Sequence, residues 1–302
     1  MATTTPVLVS EDFPALHQST NQQSLSAQKS FLLWSKIRLA GFVIAAVGAA
    51  IAWTTGRIHV GGVVAFLAFA TALAAELILA VRRPDRIWYE GRAAAESTKT
   101  LTWRYMVRGE GFEGGVDDAD GRLLAELKEV IHDLHALPVQ ALSGHEMQIS
   151  GKMREIRALP FEQRRAVYLA QRIQDQQGWY ATKAGWNAKR ANVWTVTSIA
   201  LEFFGLVGGA VTALGWANID LLSIFAAAAA AATAWLQAKQ YQSLSTAYGV
   251  TSQELAAVAS ELEAVRDEST WAHFVAGAEE AISREHTLWR ASRGVPRQPH
   301  RS

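Results

Sequence analysis

There is no cysteine in the 302 residues, which excludes a disulfide framework, a thiolate metal site and a cysteine nucleophile. An excess of charge is missing too. Lys and Arg number 29 against 28 Asp and Glu, and the net charge of +1 gives no global field to recruit nucleic acid. The sequence holds no Walker loop, no GxGxxG, no GxSxG and no protein-kinase set. An enzymatic reading has no residues to stand on, and no cofactor is expected. The first stretch, MATTTPVLVSEDFPALHQSTNQQ, lacks the basic start and apolar core of a signal peptide.

What is there is apolar sequence in long runs. Hydrophobic residues make up 50% of the chain, yet the mean hydropathy is only +0.05, so apolar runs are set against polar stretches. Leu39–Trp53 and Val60–Val81 are separated by a short polar break at Thr54–His59. Ala191–Ala217 and Leu221–Ala238 are separated by Asn218–Asp220. Each run is close to the roughly 20 residues that a helix needs to cross the hydrocarbon core of a bilayer. Neither break is long enough to hold a domain, so each pair is a hairpin. In lipid every backbone N–H and C=O must be bonded within its own segment, which leaves helix as the only option for an isolated pair. The expected fold class is all-α: an integral membrane protein with four transmembrane helices in two hairpins plus long cytoplasmic helices. The first hairpin is expected to act as its own insertion signal.

Basic residues set the expected orientation. Lys36 and Arg38 precede the first run, and Arg82, Arg83 and Arg86 follow the second. Lys183, Lys189 and Arg190 precede the third, and Lys239 follows the fourth. The breaks hold Arg57 and His59 in one and no Lys or Arg in the other. By the positive-inside rule both hairpins enter from the cytoplasm and return to it, with both termini cytoplasmic. Trp34, Trp53, Trp194, Trp216 and Trp235 stand near run ends, where amphipathic rings favour the headgroup region.

Between the runs the chain reads as helix. Residues 1–23 are polar with two prolines and are expected to form a loose tail. Ser24 or Ser26 is placed to cap a helix leading into the bilayer. Ile87–Val107 reads as a cytoplasmic helix with Pro84 marking a kink, and Arg108–Arg122 as an exposed loop. Asp120 is placed to cap the next helix, whose Leu123, Leu127, Val130, Leu134 and Leu137 repeat as a coiled-coil-like seam. Ala141–Ala158 is polar and mixed and reads as a linker or a short helix, with 141–154 as the linker between two units. Pro160 opens a helix that runs on towards the third apolar run, and Tyr241 to Val265 continues from the fourth. Asp267–Thr270 interrupts before a last helix, and residues 293–302 form a disordered tail. The plan repeats, giving a first unit at 24–140 and a second at 155–292.

Few residues carry chemistry. Glu76 and Glu202 lie inside apolar runs, where an acidic side chain costs roughly 2.5–3.5 kcal/mol on insertion scales. Each therefore lines a pore or proton path, or else lies near the interface and snorkels. Small residues recur as Gly41, Ala45 and Ala49 in the first run and Gly205, Gly209 and Ala213 in the third, ridges on which helices approach closely. His132 and His135 sit three apart, but no further ligand follows at useful spacing and a solvated face is expected. Asp117–Gly121 lacks the alternation and closing Glu of a calcium loop. No metal site is expected.

The run Trp88-Tyr89-Glu90-Gly91-Arg92-Ala93-Ala94-Ala95-Glu96-Ser97-Thr98-Lys99-Thr100, followed by Trp103-Arg104-Tyr105, resembles a signature of the SLATT family. The name stands for SMODS- and SLOG-associating two-transmembrane effector domains. Phe274–Ile282, followed by Glu285-His286 and Trp289, is similar to the end of another subtype of that family. The resemblance implies two SLATT units in tandem and a membrane effector of a bacterial conflict system, which places the chain in the bacterial inner (cell) membrane. Such domains are proposed to oligomerise and form a pore, or disrupt the membrane, on a nucleotide-linked signal. It also implies the lipid bilayer, further copies of the chain, and a nucleotide second-messenger sensor or synthase encoded nearby as partners. The alternative is a membrane-anchored scaffold whose cytoplasmic helices bind partner proteins.

Overall fold

A computed structural model describes residues 6–134 and 147–292, with side chains to Ser283. It is almost entirely helical. α1 spans Ala15–Ala50, α2 Val60–Arg82, α3 Pro84–Met106, α4 Val116–His132, α5 Gly151–Ala158 and α6 Phe161–Tyr168. A π-helical turn, Leu169–Gln174, leads into α7, Asp175–Ala213. α8 is Leu221–Lys239, α9 Tyr241–Leu262 and α10 Glu268–Ser292. Two two-residue strands, β1 (Thr54–Thr55) and β2 (Ile58–His59), pair antiparallel between α1 and α2, with Thr54 opposite His59. Gly56 at φ 63° makes that turn. The second hairpin turns through Gly215 at φ 74°, and Asp220 caps α8 by accepting from Ser223 N–H at 3.1 Å.

Among the described residues four helices are long and apolar enough to cross a membrane: Ala15–Ala50, Val60–Arg82, Phe161–Ala213 and Leu221–Leu262, the last two each counted through its break. The all-α, four-span reading of the sequence therefore holds.

The chain divides into two compact units, and each draws on both halves of the sequence. The larger unit comprises residues 1–26, 86–184 and 246–302. It has an ordinary core. Trp103, Tyr105, Met106, Phe112, Leu123, Leu127, Met153, Ile156, Tyr168, Leu255, Trp271 and Val275 are buried together. Trp271 packs edge-on to Tyr168 at 5.6 Å and donates its indole N–H to Val107 O at 2.7 Å. The smaller unit comprises residues 27–85 and 185–245, both apolar hairpins. Here the usual pattern is reversed. Gly41, Gly48, Gly61, Ala72, Ala75, Gly205, Gly208, Ala229 and Ala232 are buried, while Phe66, Phe69, Leu73, Leu77, Ile199, Phe203 and Leu206 are exposed. An apolar surface of that extent has no place in water, but lipid tails solvate it without cost.

Several local expectations are corrected. α1 begins at Ala15, nine residues before Ser24. Its first N–H groups are satisfied from far along the chain, Ala15 by Met147 O at 3.4 Å and Leu16 by Gln148 Oε1 at 3.2 Å. Ser24 instead donates to Trp88 O at 3.0 Å. α4 is capped by Gly115, so Asp120 is not its cap but a residue inside the helix. Of the two readings of 141–158, Gly151–Ala158 takes the short helix, α5, with Ser150 as N-cap accepting from Met153 N–H at 3.2 Å, so the stretch taken as linker, 141–154, ends inside that helix. The leucine seam of α4 is not a free coiled-coil face: Leu123 and Leu127 are fully buried in the chain's own core. Leu137 and His135 lie outside the described residues. Pro84 does mark a break, standing at the first position of α3 directly after Arg83 in the left-handed region.

Candidate functional site

In the smaller unit α1 and α2 run antiparallel with their backbones nearly touching. A Cβ on Gly41 would lie 2.9 Å from Ala68 O and from Ala72 Cβ. On Gly48 it would lie 2.8 Å from Ala65 N, and on Gly61 2.2 Å from Ile51 O. Seven residues on one helix thus match seven on the other. Continuing that register towards the basic flanks brings Arg38 opposite Glu76, and the guanidinium meets Glu76 Oε2 at 2.5 Å. Glu76 is the first expected pore residue, and it has a cation of its own hairpin as partner. Arg82 stands six residues on along the same helix, but the cation that Glu76 meets is Arg38 on the facing one.

Glu202 is placed differently. It lies on α7, exposed, and among the described residues no ion pair reaches it. It stands 12 residues beyond Arg190 in the chain. At 1.5 Å per residue that is about 18 Å, near the middle of a core about 30 Å thick if Arg190 marks the interface.

The small-residue ridges follow a seven-residue step in the first hairpin. Gly41 is buried, Ala45 is half-buried and Ala49 exposed; in the third span Gly205 is buried, Gly209 half-buried and Ala213 exposed. The tight contacts include Gly48 and Gly208, neither singled out in the sequence. A Cβ on Gly208 would lie 2.6 Å from Leu221 Cβ. Helical geometry gives the reason. At about 100° per residue a seven-residue step returns within about 20° of the same face, whereas an eight-residue step drifts by about 80°.

The larger unit holds a buried polar cluster that sequence reasoning missed. Arg172, on the π-helical turn, and Glu279, on α10, are side by side with side chains 0% and 1% exposed. Arg172 donates from Nε to Glu279 Oε1 at 2.8 Å and from Nη2 to Oε2 at 2.5 Å. Tyr168 Oη donates to Oε1 at 3.0 Å and Thr100 Oγ1 to Oε2 at 2.9 Å, so the carboxylate is surrounded by donors. Lys99 is nearby, and burial, followed by the Arg172 charge, pushes its pKa down. Two further arginines are buried on the same stretch. Arg157 donates to the carbonyls of Tyr105, Phe112 and Gly114, and Arg164 donates to Leu159 O and Glu268 Oε1. Beside them Tyr105 donates to Asp120 at 2.5 Å; burial and that bond raise the phenol's pKa. The one signal in the sequence was proximity to core residues. Arg157 on α5, Arg164 on α6 and Arg172 on the π-helical turn each stand within three residues of an apolar residue of the same element that is buried in the core: Ile156, Val167 and Ile173 respectively.

Lys99, Thr100, Tyr105 and Glu279 of this cluster belong to the stretches that carried the family resemblance. Thr98, Trp103 and Tyr105 of the first stretch and Val275, Ala278, Glu279 and Ile282 of the second are all buried. Those stretches therefore build a core. No cluster of three or more metal-ligating side chains occurs among the described residues.

Comparison with known families gives two matches in tandem. SMODS and SLOG-associating 2TM effector domain 3 (SLATT_3) matches residues 14–165, and SMODS and SLOG-associating 2TM effector domain 1 (SLATT_1) matches residues 168–289. The first match takes in the start of α1 and the region read as a linker. Comparison with curated proteins and with solved structures finds no match.

Proposed function

Because this chain belongs to the SLATT family of SMODS and SLOG-associating two-transmembrane effector domains, with two of them in tandem, we propose that it is the membrane effector of a bacterial conflict system. In this reading several copies assemble and open a pore, or disrupt the bilayer, on a nucleotide-linked signal delivered by a sensor or synthase encoded nearby. The membrane is the inner one, with both termini cytoplasmic, as the basic flanks imply.

The observation that carries the pore reading is Glu202. A carboxylate exposed near mid-bilayer is costly unless water or a partner meets it. Assembly of copies around water provides that environment and makes a ring of carboxylates that favours cations. Glu76 is already matched by Arg38 and is assigned to holding the first hairpin together.

The test is ion flux from liposomes holding the purified chain with its activated partner. Glu202→Gln keeps size and polarity but removes charge, and is expected to insert normally and lose cation preference. Glu202→Leu is expected to insert better and conduct less. Equal flux and selectivity from wild type and both variants would remove Glu202 from the mechanism. If wild type stays closed with its partner activated, the scaffold reading takes its place.

A further inference from the structure

A cleft of about 280 Å³ opens in the smaller unit beside the Arg38–Glu76 pair. Two helix stripes form most of it. Phe31, Ser35 and Arg38 of α1 are spaced by four and three residues, and Glu76, Leu79, Ala80 and Arg83 at the end of α2 by three, one and three. These are the spacings of single helix faces. Asp85 and Ala238 complete the lining.

The position of the cleft is set by its residues. From Glu76 to Arg83 the helix rises about 10 Å, and the polar zone on each side of the hydrocarbon core is about 5–8 Å thick. With the four spans in a bilayer, the cleft straddles the boundary between headgroups and acyl chains on the side of the basic flanks. Phe31, Leu79, Ala80 and Ala238 give it an apolar lining, and charge is gathered at Arg38, Glu76, Arg83 and Asp85. A soluble metabolite has no use for the apolar part; a phospholipid uses both.

The charges choose the headgroup. Arg38 and Glu76 neutralise each other, although Arg38 Nε is buried without a partner. Arg83 and Asp85 have no ion-pair partner among the described residues, so one cation and one carboxylate are left. Arg83 is also held at φ 42°, a backbone region where glycine or asparagine is the common occupant. Lining charge therefore sums to zero but is separated, which matches a headgroup carrying both signs better than an anionic one. A primary ammonium donates hydrogen bonds to a carboxylate, which a quaternary ammonium cannot.

We propose that this cleft binds a phosphatidylethanolamine-type phospholipid. Its phosphate meets Arg83, its ammonium meets Asp85 and the free oxygen of Glu76, and its first acyl carbons lie on Phe31 and Leu79. The inference rests on the bilayer placement of the spans and is independent of conduction.

Native mass spectrometry of the delipidated full chain tests it, with dioleoyl phosphatidylethanolamine, phosphatidylglycerol and phosphatidylcholine added in turn. Wild type is expected to retain the ethanolamine lipid about tenfold better than the choline lipid, the factor that one charge-assisted hydrogen bond supplies. Arg83→Gln is expected to lose retention, Arg83→Lys to recover part of it, and Asp85→Asn to lose the preference over phosphatidylglycerol. Circular dichroism of each variant checks that the helices remain. Equal retention of the three lipids by folded wild type, or retention unchanged in Arg83→Gln, would overturn the proposal. So would displacement of the lipid by millimolar phosphoethanolamine, which would mark a site for a soluble headgroup. Lipid preference lost in liposomes that still conduct would sink this inference and leave the effector reading standing.

Discussion

Removing the Glu279 carboxylate is the sharpest perturbation available in the larger unit. The group accepts four hydrogen bonds, from Arg172 Nε, Arg172 Nη2, Tyr168 and Thr100, in a site closed to solvent. Glu279→Ala leaves Arg172 as a buried cation without its counter-charge. Breaking one side of such a pair costs about 3–5 kcal/mol, because the remaining charge keeps its desolvation penalty and loses its compensation. The unit contains roughly 180 residues, a size at which each kcal/mol moves the melting temperature by about 2–4 °C, so a fall of about 6–20 °C is expected. Trp103 and Trp271, two of the chain's eleven tryptophans, are buried in the same core, so thermal unfolding in mild detergent is followed by circular dichroism together with the red shift of their emission. The double variant Arg172→Leu with Glu279→Leu removes both charges and is expected to melt above the single variant. It stays below wild type, since Tyr168 and Thr100 lose an acceptor, at about 1–3 kcal/mol per group left unsatisfied. If Glu279→Ala melts within about 2 °C of wild type, the pair behaves like an exposed one worth under about 1 kcal/mol, and the reasoning fails.

Two further predictions follow from the same geometry. Lys99 has a lowered pKa because it is half-buried, with the Arg172 charge nearby, so the folded state gives up its proton more readily than the unfolded chain. Its penalty is present at neutral pH and is relieved as pH rises towards the unfolded value near 10.5; Lys99→Met should therefore raise the melting temperature at pH 7 and by less at pH 10. A gain that does not shrink with pH would point to packing instead of charge. The topology is tested by single cysteines, which the absence of native cysteine makes clean. Cysteine at exposed Ser97 should resist an impermeant thiol reagent in intact cells, while cysteine at exposed Thr55 or Asn218 should react. Labelling at 97 from outside would reverse the orientation.

The membrane part of this protein was legible in its sequence because its constraint is local. Lipid demands that each span satisfy its own backbone, so Leu39–Trp53, Val60–Val81, Ala191–Ala217 and Leu221–Ala238 declared themselves by composition alone. The breaks at Thr54–His59 and Asn218–Asp220 did so too. The two tandem family units were likewise carried in the letters around Trp88–Tyr105 and Phe274–Ile282. Tertiary structure decided which charges met. Arg38 pairs with Glu76 because glycines at 41, 48 and 61 fix an antiparallel register, and register is a property of two helices. Arg172 finds Glu279 across 107 residues of sequence, and α1 takes its caps from residues 147 and 148. The leucines of α4 likewise carried a correct period, but a period shows only that a face is buried. What buries it, here the chain's own core, is settled by packing between segments that no local pattern connects.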